Sequence, residues 1–400
     1  MSTIKVNNIE SSTGGGVAAK LASVNGGFIG TKNLIINGSC IVAQRGTSST
    51  QEGYKTIDRF TTVRSGNDNG PTMSQGNVAV GTTPYSLGFR KTFKVTNGNQ
   101  TSGAQATSTS MITYRLEAQD MATSGWNYTS SSSYITLSFW VKASVSQNYY
   151  FCVFTQDGTQ HQYTMETGVL TADTWTKITK TIPGNSNLQF DTDTVANSIA
   201  RAFDLQWVMF RGTASTGTRP LNAWAAKEGA TRSPDNTTTW YTTDNATFEL
   251  TGVQLEVSDH ATDFEFELFQ ETLKKCQRYC YVTPYGASST SSAGSEEAVQ
   301  GTFGYVDDSG ATARVKIDFP EPMRATPSFT GSSTNVKFRA SNTSQNFSCS
   351  SFALFKTKPD AYNMRSLTMT AGSLTSMSGA TAGFVEFNEA GGFMKFESEL

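Results

Sequence analysis

Residues 250–280 read LTGVQLEVSDHATDFEFELFQETLKKCQRYC, a strand, a bend and a helix in succession. Leu250, Val253 and Leu255 give the strand an apolar inner face. Ser258-Asp259 turns the chain, and an acidic, aromatic, amphipathic helix follows. Phe266, Phe269, Leu273, Cys276 and Cys280 recur at spacings of 3, 4, 3 and 4, which is a heptad-like apolar seam. Glu265, Glu267 and Glu271 lie toward the start of that helix and Lys274, Lys275 and Arg278 toward its end, the polarity that the helix dipole favours. The stripe has two readings. Three copies meet along it on a threefold axis, or it caps the sandwich of its own chain.

Outward from this stretch the pattern is strand and turn. Apolar alternation marks 87–95, 135–141, 149–154, 203–210 and 248–255, and Asn97-Gly98, Asp157-Gly158 and Pro183-Gly184 punctuate the strands. Residues 221–228 form a candidate short helix within the long excursion 211–245. This grammar, with almost no helix, implies an all-β antiparallel sandwich over 32–283, closed by the helix. Residues 284–298 are a Ser/Gly linker. Residues 299–400 then read as a second, smaller β-sandwich domain. Within it Ala313, Val315, Ile317 and Phe319 point one way while Arg314, Lys316 and Asp318 point the other. Residues 1–31, with SSTGGG at 11–16, cannot bury a core of their own. They are either an extended anchor ordered by a partner or a frayed terminus.

Five short stretches, in order, resemble one family, the tail-fibre and receptor-binding proteins of bacteriophages. They are NLIINGSCIVAQRG at 33–46, Asp58-Arg59-Phe60, LSFWVK at 137–142, TGVQLEVSDHATDFE at 251–265 and CQRYC at 276–280. The turn FPEPMRATP at 319–327 resembles the distal domains of such fibres, and the opening MSTIKVN resembles structural proteins of phages that infect cyanobacteria. The main resemblance covers about residues 33–283. It implies a jelly-roll domain akin to carbohydrate-binding modules and a homotrimer. It also implies attachment of residues 1–31 to other tail or capsid proteins of the virion, with 299–400 facing the host.

Composition narrows the partners. At 400 residues the chain exceeds the usual length of one domain. Only 16% of residues are charged and the net charge is −2, while there are 25 Phe and 14 Tyr. That balance disfavours nucleic acid and an anionic membrane surface, because both need clustered Lys and Arg. No apolar run approaches bilayer length, and the opening lacks the layout of a signal peptide. The chain is therefore expected to be made in a host cytoplasm and to end on the virion. Cys40, Cys152, Cys276, Cys280 and Cys349 are odd in number and sit in apolar patterns, so buried free thiols are expected.

Catalytic signals are sparse. His161 and His260 lack partners at metal-ligand spacing, and Cys276 with Cys280 lack a second ligand pair. No nucleophile elbow and no phosphate loop is present. The acid pairs Glu117 with Asp120, or Asp191 with Asp193, read as solvated loop acids rather than glycosidase carboxylates. No catalytic residue, metal or cofactor is expected. A glycan site needs an aromatic face and neutral polar groups. Trp224, Trp240 and Tyr241 in the excursion offer these, beside Asp235 and Asn236, as does Trp126 with Tyr128. Tyr285, Tyr305, Tyr362, Asn335 and Asn342 are the counterparts in the distal domain. Trp140 and Trp207 are assigned to the core. The expected function is host attachment through surface polysaccharide by a tail fibre. The alternative is a capsid- or tail-decorating adaptor that touches no receptor.

Overall fold

The computed structural model describes residues 32–190, 200–283, 297–298, 302–306, 312–331, 336–340, 346–348, 351–355, 362–372, 382–387 and 393–400. The N-terminal segment 1–31, most of the linker, Asp191, Asp193, Tyr285, Asn335, Asn342 and Cys349 lie outside them.

Twelve strands build the first unit: β1 (Ser48–Ser49), β2 (Phe60–Ser65), β3 (Thr72–Asn77), β4 (Lys91–Thr96), β5 (Thr109–Glu117), β6 (Tyr134–Ala143), β7 (Asn148–Thr155), β8 (His161–Val169), β9 (Thr176–Pro183), β10 (Arg201–Arg211), β11 (Trp224–Ala226) and β12 (Thr247–Glu256). They form two six-stranded sheets, in the orders β1-β3-β4-β12-β6-β9 and β11-β8-β7-β10-β5-β2. All the pairings are antiparallel. This is the antiparallel sandwich that the alternation implies, in the jelly-roll form that the resemblance implies. Side chains on one face of each sheet interdigitate between the layers. Phe60, Phe139, Phe151, Tyr114 and Trp207 meet there, mostly edge-on, with ring centroids 5.0–6.3 Å apart, and all are buried. Edge-to-face contact suits ring quadrupoles.

The quoted motif is pinned by a bulge. β12 shifts register against β6 between Thr251 and Gln254. Gly252 lies in that bulge at φ +61°, and a Cβ there would meet the Phe89 ring at 2.6 Å, so glycine is required on both counts.

Two expectations change. The helix spans only Phe269–Gln277, so Phe266 precedes it. Cys280 opens a further strand, β13 (Cys280–Thr283). The reason lies in residues 264–266. Phe264 and Phe266 pack on Phe89 at 5.0 Å, the Glu265 amide donates to Gln254 Oε1 at 2.8 Å, and the Glu265 carboxylate accepts the Asn33 amide at 2.8 Å. These partners hold the segment out of the helix. Within 221–228 the regular element is not a helix but the edge strand β11. Trp224 pairs with Tyr163, and its indole N–H donates to the Pro183 carbonyl at 2.7 Å.

The remaining strands are β14 (Glu297–Ala298), β15 (Thr302–Val306), β16 (Thr312–Ala325), β17 (Ser328–Gly331), β18 (Val336–Ala340), β19 (Asn346–Ser348), β20 (Ser351–Phe355), β21 (Tyr362–Gly372), β22 (Ala382–Phe387) and β23 (Met394–Glu397). They make an eight-stranded sheet, and β17 and β23 join β13 in a three-stranded one. Val315, Ile317, Phe319, Phe338, Met394 and Phe396 fill the smaller sandwich. β13 lies within the span that sequence reading gave to the first unit, yet it pairs residue by residue with β23 near the end of the chain.

Candidate functional site

Motif residues far apart in sequence touch one another. Asn33 clamps the bulge: its side chain donates to the Val253 carbonyl at 3.2 Å and accepts the Leu255 amide at 3.1 Å. The Val253 amide donates to the Gly38 carbonyl at 2.9 Å. Leu137 pairs with Leu255, and Lys142 forms an ion pair with Glu249 at 3.0 Å. Gln44 Nε2 donates to the Cys280 carbonyl at 2.6 Å. Arg45 pairs with Asp58 at 3.2 Å, with Glu397 at 2.6 Å and with Glu399 at 2.9 Å. Arg59 also pairs with Glu399, and its guanidinium lies 3.4 Å from the centre of the Tyr279 ring. Its φ of 72° is a strained conformation that persists only where surroundings dictate it.

Glu117, fully buried, accepts from Arg278 Nε and Nη2 at 3.0 Å and from the Tyr279 hydroxyl at 2.5 Å. The last residues close a junction with these groups. Arg324 donates to the carbonyls of Ser398 at 2.5 Å and Glu399 at 2.9 Å, while Arg115 and Tyr54 reach the Leu400 carbonyl. Arg45, Arg59, Arg115, Arg278 and Arg324 thus share one neighbourhood with Asp58, Glu117, Asp120, Glu397 and Glu399. An open groove of about 550 Å³, lined by Glu52, Tyr54, Lys55, Arg324 and Leu400 among others, runs alongside. Glu117 is a structural ion-pair partner here, not the solvated loop acid expected of it, because its oxygens are taken by Arg278, Tyr279 and Gln119.

Three of the four aromatics expected to contact glycan are in the core. Trp240 and Tyr241 are fully buried. A short helical turn, Thr239–Thr242, tucks both rings inward, where the indole donates to the Thr247 carbonyl at 3.1 Å and the phenol to the Gly66 carbonyl at 2.8 Å. Trp126 packs on Phe190 and Phe203 and is 3% exposed. Buried rings of this kind have no face to offer a sugar. Trp224 is half-buried against Tyr163. The seam also divides. Leu273 and Cys276 pack on Val42 within the chain, and Cys280 packs with Val282 and Phe393. These three are buried against residues of their own chain. Phe266 and Phe269 stay partly exposed, next to Leu268 at 78% exposure.

The half-open aromatics lie elsewhere. Strand alternation turns Phe139 and Val141 inward, so Trp140 and Lys142 face out. Trp140 is half-buried rather than core, opposite Thr251 and Lys177. Lys142 Nζ sits 5.2 Å from the centre of the Trp175 ring, itself half-buried. The outer face of the first sheet therefore carries two indoles beside Lys142, Glu249 and Lys177. On the smaller sandwich Phe303 and Tyr305 are 65% and 51% exposed, opposite Lys316 and Arg314. Aromatic faces flanked by hydrogen-bonding groups suit the C–H surface and hydroxyls of a sugar. Sequence reasoning missed Trp175 altogether. Placing 138, 140 and 142 opposite 137, 139 and 141 was the available signal for Trp140.

No family model matches the chain, and no curated protein matches it. Among solved structures, the enzymatically active domain of tailspike protein 4 from bacteriophage CBA120 is 11% identical over 56% of this chain, with a TM-score of 0.32. The alignment spans about a fifth of that tailspike chain, 21%. A CBM4 structure is 10% identical over 56% of this chain and 98% of its own, with a TM-score of 0.28. A sugar-binding protein structure from Bacteroides thetaiotaomicron VPI-5482, described as putative in its name, is 9% identical over 57% of this chain and 100% of its own, with a TM-score of 0.33. Similarity at this level says nothing of what the chain binds.

Proposed function

We propose that this chain is a structural protein of a bacteriophage virion, a tail fibre or receptor-binding protein that attaches to host-surface glycans. The observation that carries the reading is the contact between the motifs. Stretches up to 236 residues apart, such as Gln44 and Cys280, touch one another and are joined by Arg324 of β16, whose amide donates to the Arg278 carbonyl at 2.8 Å. Unrelated chance matches have no reason to meet in space. The resemblance is thereby supported as one folded unit, with the fibre role as its implication.

Glycan contact is assigned to the half-open faces, Trp140 with Trp175 and Phe303 with Tyr305. Copies of the chain, expected as a homotrimer, would raise the effective concentration of weak sugar contacts. Residues 1–31 are the proposed link to other virion proteins, and the distal sandwich the proposed host-facing end. No catalytic role is proposed.

Immunogold microscopy of virions with antibodies to residues 299–400, paired with binding of the purified full chain to host cells, tests this. Label at appendage tips, with cell binding lost in Trp140→Ala/Trp175→Ala and in Phe303→Ser/Tyr305→Ser, supports the reading. Label spread over the capsid, with no cell binding, replaces it with the decorating adaptor.

A further inference from the structure

On the outer face of the second sheet two buried guanidiniums, those of Arg211 and Arg219, lack a carboxylate partner among the described residues. Arg211, at the end of β10, is 3% exposed. Its Nη2 reaches Gln206 Oε1 at 3.2 Å and Met111 Sδ at 3.4 Å, and its Nη1 has no partner. Arg219, 8% exposed, directs its terminal nitrogens to the backbone carbonyls of Ala226 at 2.8 Å and Thr231 at 3.2 Å, leaving Nε unpartnered. Thr113 Oγ1, opposite Gln206 across the strands, and Ser233 Oγ are likewise buried without partners. Arg232 is half-buried, and its backbone carbonyl accepts Gln162 Nε2 at 2.5 Å, which holds its backbone beside β8.

Among the described residues no carboxylate lies within ion-pair distance of Arg211 or Arg219. The acids of this region are engaged elsewhere: Asp235 by Thr216 at 2.6 Å, Glu166 by Asn148 at 2.8 Å, Glu228 by Thr231 at 3.2 Å and Asp204 by Arg201. Burying a guanidinium with no counter-anion is unfavourable. Burial pulls Arg211 down to about 10, with Arg232 and Arg219 adding to the effect against the opposing pull of Cys152.

We propose that these donors form an anion site for an acidic sugar, whose carboxylate or sulfate group lies between Arg211 and Arg232. The guanidinium fork fits either oxyanion with two parallel hydrogen bonds. Tyr150, in the same cross-strand row as Met111 and Val208, is half-buried and takes the sugar ring. The inference rests on the glycan reading above and narrows it to acidic glycans at this face.

Calorimetry on the purified full chain tests it with four probes: glucuronate, a sulfated glucose, inorganic sulfate and plain glucose, each to about 10 mM, the range of single-sugar contacts. Saturable binding of glucuronate or the sulfated sugar, weakened tenfold or more in Arg211→Gln and Arg232→Gln, is expected, with glucose silent. Arg232→Gln alters a half-buried group and keeps the test open if Arg211→Gln does not fold. The preference between the two acidic sugars identifies the oxyanion. Inorganic sulfate binding as tightly as both sugars, glucose binding equally, indifference to both substitutions, or no binding by any probe overturns the proposal. The Trp140 and Phe303 faces are read separately by cell binding, so failure here leaves that result standing.

Discussion

Two regions of this molecule bury arginine, and they do it oppositely. In the motif junction Arg45 and Arg59, with side chains 2% and 1% exposed, are met by Asp58, Glu397 and Glu399. On the outer face of the second sheet Arg211 and Arg219 are comparably buried and met by none among the described residues. A buried ion pair is stabilising only relative to breaking it. The balanced junction is therefore a structural device, and the unbalanced face is the place where a partner from outside supplies the missing charge. Sequence motifs marked the first region and missed the second.

The largest effect is expected at Glu399. Glu399→Ala leaves two buried guanidiniums short of a counterion and is expected to cost about 3–5 kcal/mol in denaturant unfolding. A loss below 1 kcal/mol would erase the contrast between the regions. Tyr279→Phe removes the hydroxyl donor to Glu117 while Arg278 keeps its place. The expected loss is about 1–3 kcal/mol, as for a hydrogen bond to a buried charged group.

The junction also sets a pH dependence. Burial raises Asp58 from 3.8 to about 6 against the opposing pull of Arg45. Burial, then the charge of Glu117, raises Asp120 to about 6. A carboxyl with a raised folded pKa holds its proton more tightly in the native state. Its stabilisation is full below 3.8 and is lost as pH rises through about 6. Glu397 runs the other way: Arg45 and Lys395 outweigh its burial and hold it below the usual glutamate range, so its contribution is lost as pH falls through that lowered value. Between pH 7 and 5 the two aspartates dominate. The melting temperature is expected to rise over that interval, and Asp120→Asn should flatten the rise. The smallest effect is on the outer face of the first sheet, where Trp140→Ala is expected to change stability by under about 1.5 kcal/mol while cell binding falls. A large unfolding penalty there would return Trp140 to the core.

Much of the fold was legible because alternation reports which face of a strand is buried. β6, β7, β10 and β12 fall where apolar residues recur at every second position, while the bulge at Gly252 went unread in TGVQLE. The junction was legible only as a resemblance. Nothing local in Asp58-Arg59 or Arg278-Tyr279 says that they meet, since ion pairing depends on chain packing across hundreds of residues.

The glycan aromatics were misplaced for a related reason. In SPDNTTTWYTT the polar neighbours of Trp240 and Tyr241 describe the loop's surface, not the direction in which one helical turn points the rings. The 3-4-3-4 spacing from Phe266 to Cys280 suggested a continuous helix. Phe264, Glu265 and Phe266 found partners in Phe89, Gln254 and Asn33 and stayed out of it. Arg211 gave no signal at all, because an unpaired charge is defined by what its neighbours lack.

The contrast between the two arginine clusters is tested most directly by the unfolding free energy of Arg211→Met in dilute buffer without added anions. Methionine replaces the guanidinium with an apolar group of similar length, leaving Gln206 and Cys152 in place. A stability equal to or above that of the unsubstituted chain is the predicted result, since an uncompensated buried cation is being removed. A loss of about 3 kcal/mol or more, matching Glu399→Ala, would mean that Arg211 is paired within the fold and would contradict the account.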